Sequence, residues 1–150
     1  MSAQPNATPA PASAGAARGG LLRSAAITAG LALVVNLVIF AIATTIGDVP
    51  DRFTPLQPGP VVFMTILGIG LATGFFALLR TRVAQPVATF RRIVPVALVI
   101  SLIPDVLVWA SDAYDGAAKA ETVLPLMAMH LATAVVVAAL LPTNSNETPR

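Results

Sequence analysis

Residues 93–110 read IVPVALVISLIPDVLVWA, an apolar run interrupted by a single carboxylate, Asp105, set directly after Pro104. Three further runs of similar character, 24–46, 61–79 and 123–141, accompany it. A helix advances about 1.5 Å per residue, so about 20 apolar residues cross a hydrocarbon core of about 30 Å. Lipid offers the backbone no hydrogen-bond partner, and runs of this kind therefore cross it as helices. The expectation is an all-α integral membrane protein, a bundle of four transmembrane helices.

Composition supports this reading. Of the 150 residues 56% are hydrophobic and 11% charged, whereas a soluble domain carries about a quarter charged residues to face water. The absence of Cys removes disulfides, thiolate nucleophiles and sulfur-ligated zinc. A single His rules out a multi-histidine metal site. No phosphate-binding Gly loop, nucleophile elbow or basic-aromatic nucleic-acid surface is present. The chain is thus not expected to be an enzyme, to hold a cofactor or metal, or to bind nucleic acid.

Along the chain, residues 1–20 are rich in Ala, Pro and Ser. Such a segment buries too little surface to offset its ordering entropy and reads as a disordered tail. The membrane domain then covers 21–142. Arg18 and Arg23 precede the first run, and Ala41-Ile42-Ala43 mimics a signal-peptide cleavage site. At roughly 23 residues, however, the run is too long for a signal core and reads as an uncleaved span. On a helix, Ala25, Ala29, Ala32, Asn36 and Ala43 share one side, a small-residue seam suited to close packing. Residues 47–60 contain four prolines and form a stiff connection. In the second span Gly70 and Gly74 lie four apart, a spacing that lets another backbone approach, either in a second copy or within the bundle. Residues 80–92 carry four arginines and no acid, which fixes topology or attracts anionic head groups. Residues 111–122 are polar and net acidic, and 143–150 form a flexible tail.

Basic residues alternate sharply between the two sides. The N-terminal tail, the second connection and the C-terminal tail hold Arg18, Arg23, Arg80, Arg82, Arg91, Arg92 and Arg150, while the other side holds Arg52 and Lys119. The excess predicts that both termini are cytoplasmic. Trp109 and Tyr114 then mark the outer interface and Phe90 the inner one.

Asp105 is costly in this setting. A central Asp opposes insertion by about 2.5–3.5 kcal/mol, and each Leu, Ile or Val favours it by roughly 0.3–0.6 kcal/mol. The eleven such residues in 93–110 outweigh it narrowly. By helical rise, Asp105 lies about 9 Å below the outer end of its span and His130 roughly 10 Å below the outer end of the next. Spans joined by a short connection are antiparallel neighbours, so the acid and the imidazole meet at one depth. Asn36 sits somewhat deeper; Ser101 and Thr133 share helix faces with Asp105 and His130. Three readings of this polar cluster stand open: a proton-responsive pair, an interhelical clasp, or an Asp105 that caps a helix restarted after Pro104 or reaches toward the outer interface.

The PGPVV run at 58–62, the SLIPD run at 101–105 and the LPLMAMHLATA stretch at 124–134 carry a likeness that covers about 21–142. On these residues the chain resembles a family of small four-span bacterial membrane proteins known only as a domain of unknown function. The resemblance implies a multi-pass protein of the bacterial cell membrane and implies no reaction. The functional expectation is a non-enzymatic structural or interaction component in the lipid bilayer, with a second copy or another membrane protein as its partner. The alternative is a small proton-coupled transport component that uses Asp105 and His130.

Overall fold

A computed structural model describes residues 12–111 and 114–144, with side chains from 19 to 111 and from 114 to 142. Helix α1 spans Ala12–Ile46, α2 Pro58–Arg82, α3 Pro86–Ala110 and α4 Ala120–Asn144, with a single 3-10 turn at Thr54–Leu56. Each of the four helices contains a stretch long and apolar enough to cross a membrane. No strand occurs among the described residues. The chain is an all-helical, multi-pass membrane protein.

The helices overrun the apolar runs at their ends. The tail expected through residue 20 gives way to helix at Ala12, so residues 12–20 prolong α1 beyond the span. Ala is the strongest helix former, and extending an existing helix avoids the cost of nucleation. Residues 1–11 and 145–150, the rest of the two expected tails, lie outside the described residues. At the far end of α1, the Gly47 N–H donates to the Ala43 carbonyl at 2.8 Å. A Cβ at Gly47 would lie 2.7 Å from that oxygen, so the turn into the Pro-rich connection needs glycine.

Helix α3 corrects one of the three readings of Asp105. Pro95 and Pro104 both lie inside a continuous helix, and Asp105 is a buried mid-helix residue rather than the cap of a restarted one. Proline deprives the carbonyl four residues earlier of its donor, a loss that neighbouring helices and side chains make tolerable in a bundle. The same effect is visible where Pro142 ends the apolar part of α4. The Ala138 carbonyl has no N–H at position 142 to receive, and Arg91 Nε of α3 donates to it at 3.4 Å.

Helix α1 packs most extensively against α4 and next against α2; α3 packs chiefly against α4 and only lightly against α2. The small-residue side expected on α1 is the one that does this. Ala32, Ala43 and Asn36 are buried and Ala25 and Ala29 half-buried, joined by Ser24 and Thr28. Ser24 Oγ reaches the Leu140 and Leu141 carbonyls at 3.1 and 2.9 Å. Carbonyls in the last turn of a helix lack intrahelical donors, so Ser24 finishes α4 from outside. Gly70 and Gly74 do not take part in packing within the bundle. Both are exposed on α2, and a Cβ at either would meet nothing within 4 Å.

Two apolar clusters close the ends of the bundle. At the arginine end, Phe76 of α2 meets Phe90 of α3 edge-on, with centroids 5.0 Å apart, above Leu79 and Leu141. Phe90 therefore lies in the packing, 2% exposed, rather than at the lipid interface where an aromatic anchor is expected. At the other end, Phe53 and Leu56 from the Pro-rich connection are fully buried against Val61, Ala117 and Val123. The Tyr114 ring caps Phe53 edge-on at 5.3 Å. Tyr114, Asp115 and Gly116 turn the chain through positive φ, and Thr122 Oγ1 then accepts the Lys119 N–H at 2.9 Å to start α4. Trp109, at the same end of α3, is 44% exposed.

Candidate functional site

Between these two apolar clusters lies a polar layer to which every helix contributes. From α1, Asn36 is 2% exposed and uses both amide hydrogens: Nδ2 donates to Thr65 Oγ1 of α2 at 2.9 Å and to Thr133 Oγ1 of α4 at 3.0 Å. The Thr65 hydroxyl in turn donates to the Val61 carbonyl of its own helix at 2.7 Å. One turn away along α4 stands His130, whose Nδ1 is 3.0 Å from Asp105 Oδ2 on α3. The depth argument that paired the acid with the imidazole is met by this contact.

The pair is not a simple hydrogen bond. Nδ1 lies equally close, at 3.0 Å, to the Leu126 carbonyl. The carbonyl only accepts, so it is served by the tautomer that carries its hydrogen on Nδ1. The carboxylate oxygen takes the close contact without a directed hydrogen bond, and Asp105 Oδ2 and Asn36 Oδ1 are both buried acceptors with no hydrogen-bond donor. The two side chains differ in environment: that of Asp105 is 9% exposed and that of His130 is 39% exposed.

Of the residues expected in the cluster, the fold brings together Asp105 with His130 and Asn36 with Thr133. Ser101 is not among them: its hydroxyl donates to the Leu98 carbonyl at 2.8 Å, three residues back on its own helix. Thr65 is the member that sequence reasoning passed over, since a lone Thr in an apolar run ordinarily bonds only its own backbone. Ser24 and Thr28, both fully buried on α1, were also passed over. Their i, i+4 spacing in line with Asn36 was the available signal.

Chemically, the layer holds one acid, one imidazole, one amide and hydroxyls, which suffices for hydrogen bonding between helices and for holding a proton. Among the described residues no three His, Asp or Glu side chains gather as metal ligands would. An open groove of about 310 Å³ between α1 and α4 is lined by Ile39, Ile42, Ala43, Leu124, Pro125 and Ala128. It has no group able to react, and its surface matches lipid chains. No curated protein and no solved structure is significantly similar to the chain. A family model matches residues 16–147, almost all of the four helices, and the chain belongs to that family, the family of unknown function DUF6069.

Proposed function

We propose that this membrane protein is a non-enzymatic structural or interaction component of the bacterial cell membrane, with both termini in the cytoplasm, and that its polar layer is a clasp between helices. The observation that carries this reading is the apolar packing at both ends of the layer. Phe76, Phe90, Leu79 and Leu141 lie on one side of it and Phe53, Leu56 and Val123 on the other. A proton path needs a chain of donors and acceptors to each face, and neither apolar cluster offers one. Within the layer, Asn36 ties three helices and Asp105–His130 ties the fourth to α4. Such contacts are favoured in lipid, where helix association draws on packing and hydrogen bonds rather than on the hydrophobic effect.

A second reading rests on the 39% exposure of the His130 side chain beside a buried acid. It makes the pair the proton-binding element of a small transport component. Liposomes that carry the purified protein and an internal pH-sensitive dye separate the two. The clasp reading expects proton entry no faster than in protein-free liposomes. Entry that is faster and returns to background in Asp105→Asn would replace it with the transport reading. Co-purification from the native membrane would then identify the partner that an interaction component requires.

A further inference from the structure

Charge is divided between the two ends of the bundle. Arg23 of α1, Arg80 and Arg82 in the last turn of α2, and Arg91 and Arg92 of α3 lie at one end. Asp48, Asp51, Asp115 and Glu121 lie at the other, and Asp105 is enclosed between. The arginine end thus holds five cations and, among the described residues, no carboxylate. Arg91 is partly engaged by the Ala138 carbonyl. Arg23, Arg80, Arg82 and Arg92 form no ion pair with any described residue.

The placement is as telling as the count. Arg80 follows directly on buried Leu79, and only Val83, Ala84 and Gln85, all exposed, separate α2 from α3. The guanidinium groups therefore stand within about a turn or two of the apolar spans, at the depth of lipid phosphates rather than out in water. Among the described residues these four cations have no counter-charge, and the anions that a bilayer supplies at that depth are phospholipid head groups. Guanidinium binds phosphate through two parallel N–H donors, a stronger and more oriented contact than a point charge makes.

We propose that the arginine end, formed by α1, α2 and α3, is a binding surface for anionic phospholipid head groups. Orienting the chain requires only an excess of positive charge on one side. Binding of this kind adds a measurable preference for an anionic lipid, and it is independent of whether the polar layer conducts protons.

The test uses the full chain in a neutral detergent, where no sidedness exists and loss of arginines cannot invert insertion. Short-chain phosphatidylglycerol and phosphatidylcholine are titrated separately and bound lipid is read by native mass spectrometry. The expected result is a preference of about tenfold or more for phosphatidylglycerol at low salt, since each basic residue near an anionic surface contributes roughly a fivefold change. The preference should fall below about twofold in about 0.5 M salt, where charges are screened within a few ångströms. It should fall equally in Arg80→Gln/Arg82→Gln/Arg92→Gln, with helix content by circular dichroism unchanged. Should that variant not fold, Arg82→Gln and Arg92→Gln singly are each expected to lose roughly fivefold. Equal binding of the two lipids, a preference that survives the triple or both single substitutions, or full competition by inorganic phosphate overturns the proposal.

Discussion

Helices α1 and α3 are equally at home in lipid, yet they are held in the bundle by different means. Helix α1 presents a continuous side of small residues, Ala25, Ala29, Ala32 and Ala43, interleaved with Ser24, Thr28 and Asn36, and it meets both α4 and α2 along this side. Helix α3 has little such surface: in its most apolar stretch only 6% of residues are buried, against 17% for α1. It is attached at separate points, by Phe90 against Phe76, by Arg91 to Ala138 and by Asp105 to His130. Close backbone packing spreads attraction over many weak contacts. Point attachment concentrates it, and each point then counts for more.

This contrast is breakable. Phe90→Ala is expected to be the largest single loss, about 3–5 kcal/mol, because it empties a fully packed site where α3 meets α2. Denaturation in mixed micelles followed by circular dichroism measures it; a loss under about 1 kcal/mol would show that α3 does not depend on this point. On α1, Ala32→Leu is expected to cost about 1–3 kcal/mol by forcing a bulky side chain into a residue site that is 0% exposed. A neutral outcome would mean the small-residue side is not close-packed.

Asp105→Ala and His130→Ala are each expected to cost about 0.6–2 kcal/mol, and the double variant less than their sum, since the two side chains touch at 3.0 Å and each single change removes the same contact. The chain has no Cys, so cysteines placed at 105 and 130 report on the same contact directly. A disulfide or a short bismaleimide link within one chain is expected; no link in an otherwise folded protein would separate α3 from α4. The smallest effect is expected at Gly70→Ala, which stands in open space and gains up to about 1 kcal/mol of helix propensity. A clear destabilisation there, or a drop in particle mass, would reveal a second copy seated on α2.

Much of this arrangement was legible because membrane helices obey simple geometry. Run length set the four spans, and rise per residue placed Asp105 and His130 at one depth. What escaped were the choices that side chains make between equivalent partners. Ser101 and Thr65 look alike in sequence, hydroxyls within apolar helices. The first bonds its own helix alone, while the second bonds its own helix and still accepts Asn36. Which occurs depends on how closely another helix approaches, and no local pattern encodes that. Gly70 and Gly74 carried a spacing that elsewhere marks close helix contact, but both are exposed on α2, whereas Thr65 and Ile69 are buried. The start of α1 was also out of reach, since Ala-rich chain reads as tail or helix according to whether a helix follows.

The most extensive helix contact joins the first span to the last. Asn36 needs Thr133, Ser24 needs the carbonyls of Leu140 and Leu141, and Phe53 needs Val123 at the start of α4. While the ribosome is still making the third span, none of these partners has entered the bilayer. The nascent chain must therefore wait with an amide half matched, by Thr65 alone, and a hydroxyl without its partner carbonyls, and a stop codon before α4 leaves them so for good. Quality control that surveys the membrane for unmatched polar groups would find its signal in α1, about a hundred residues upstream of the lesion.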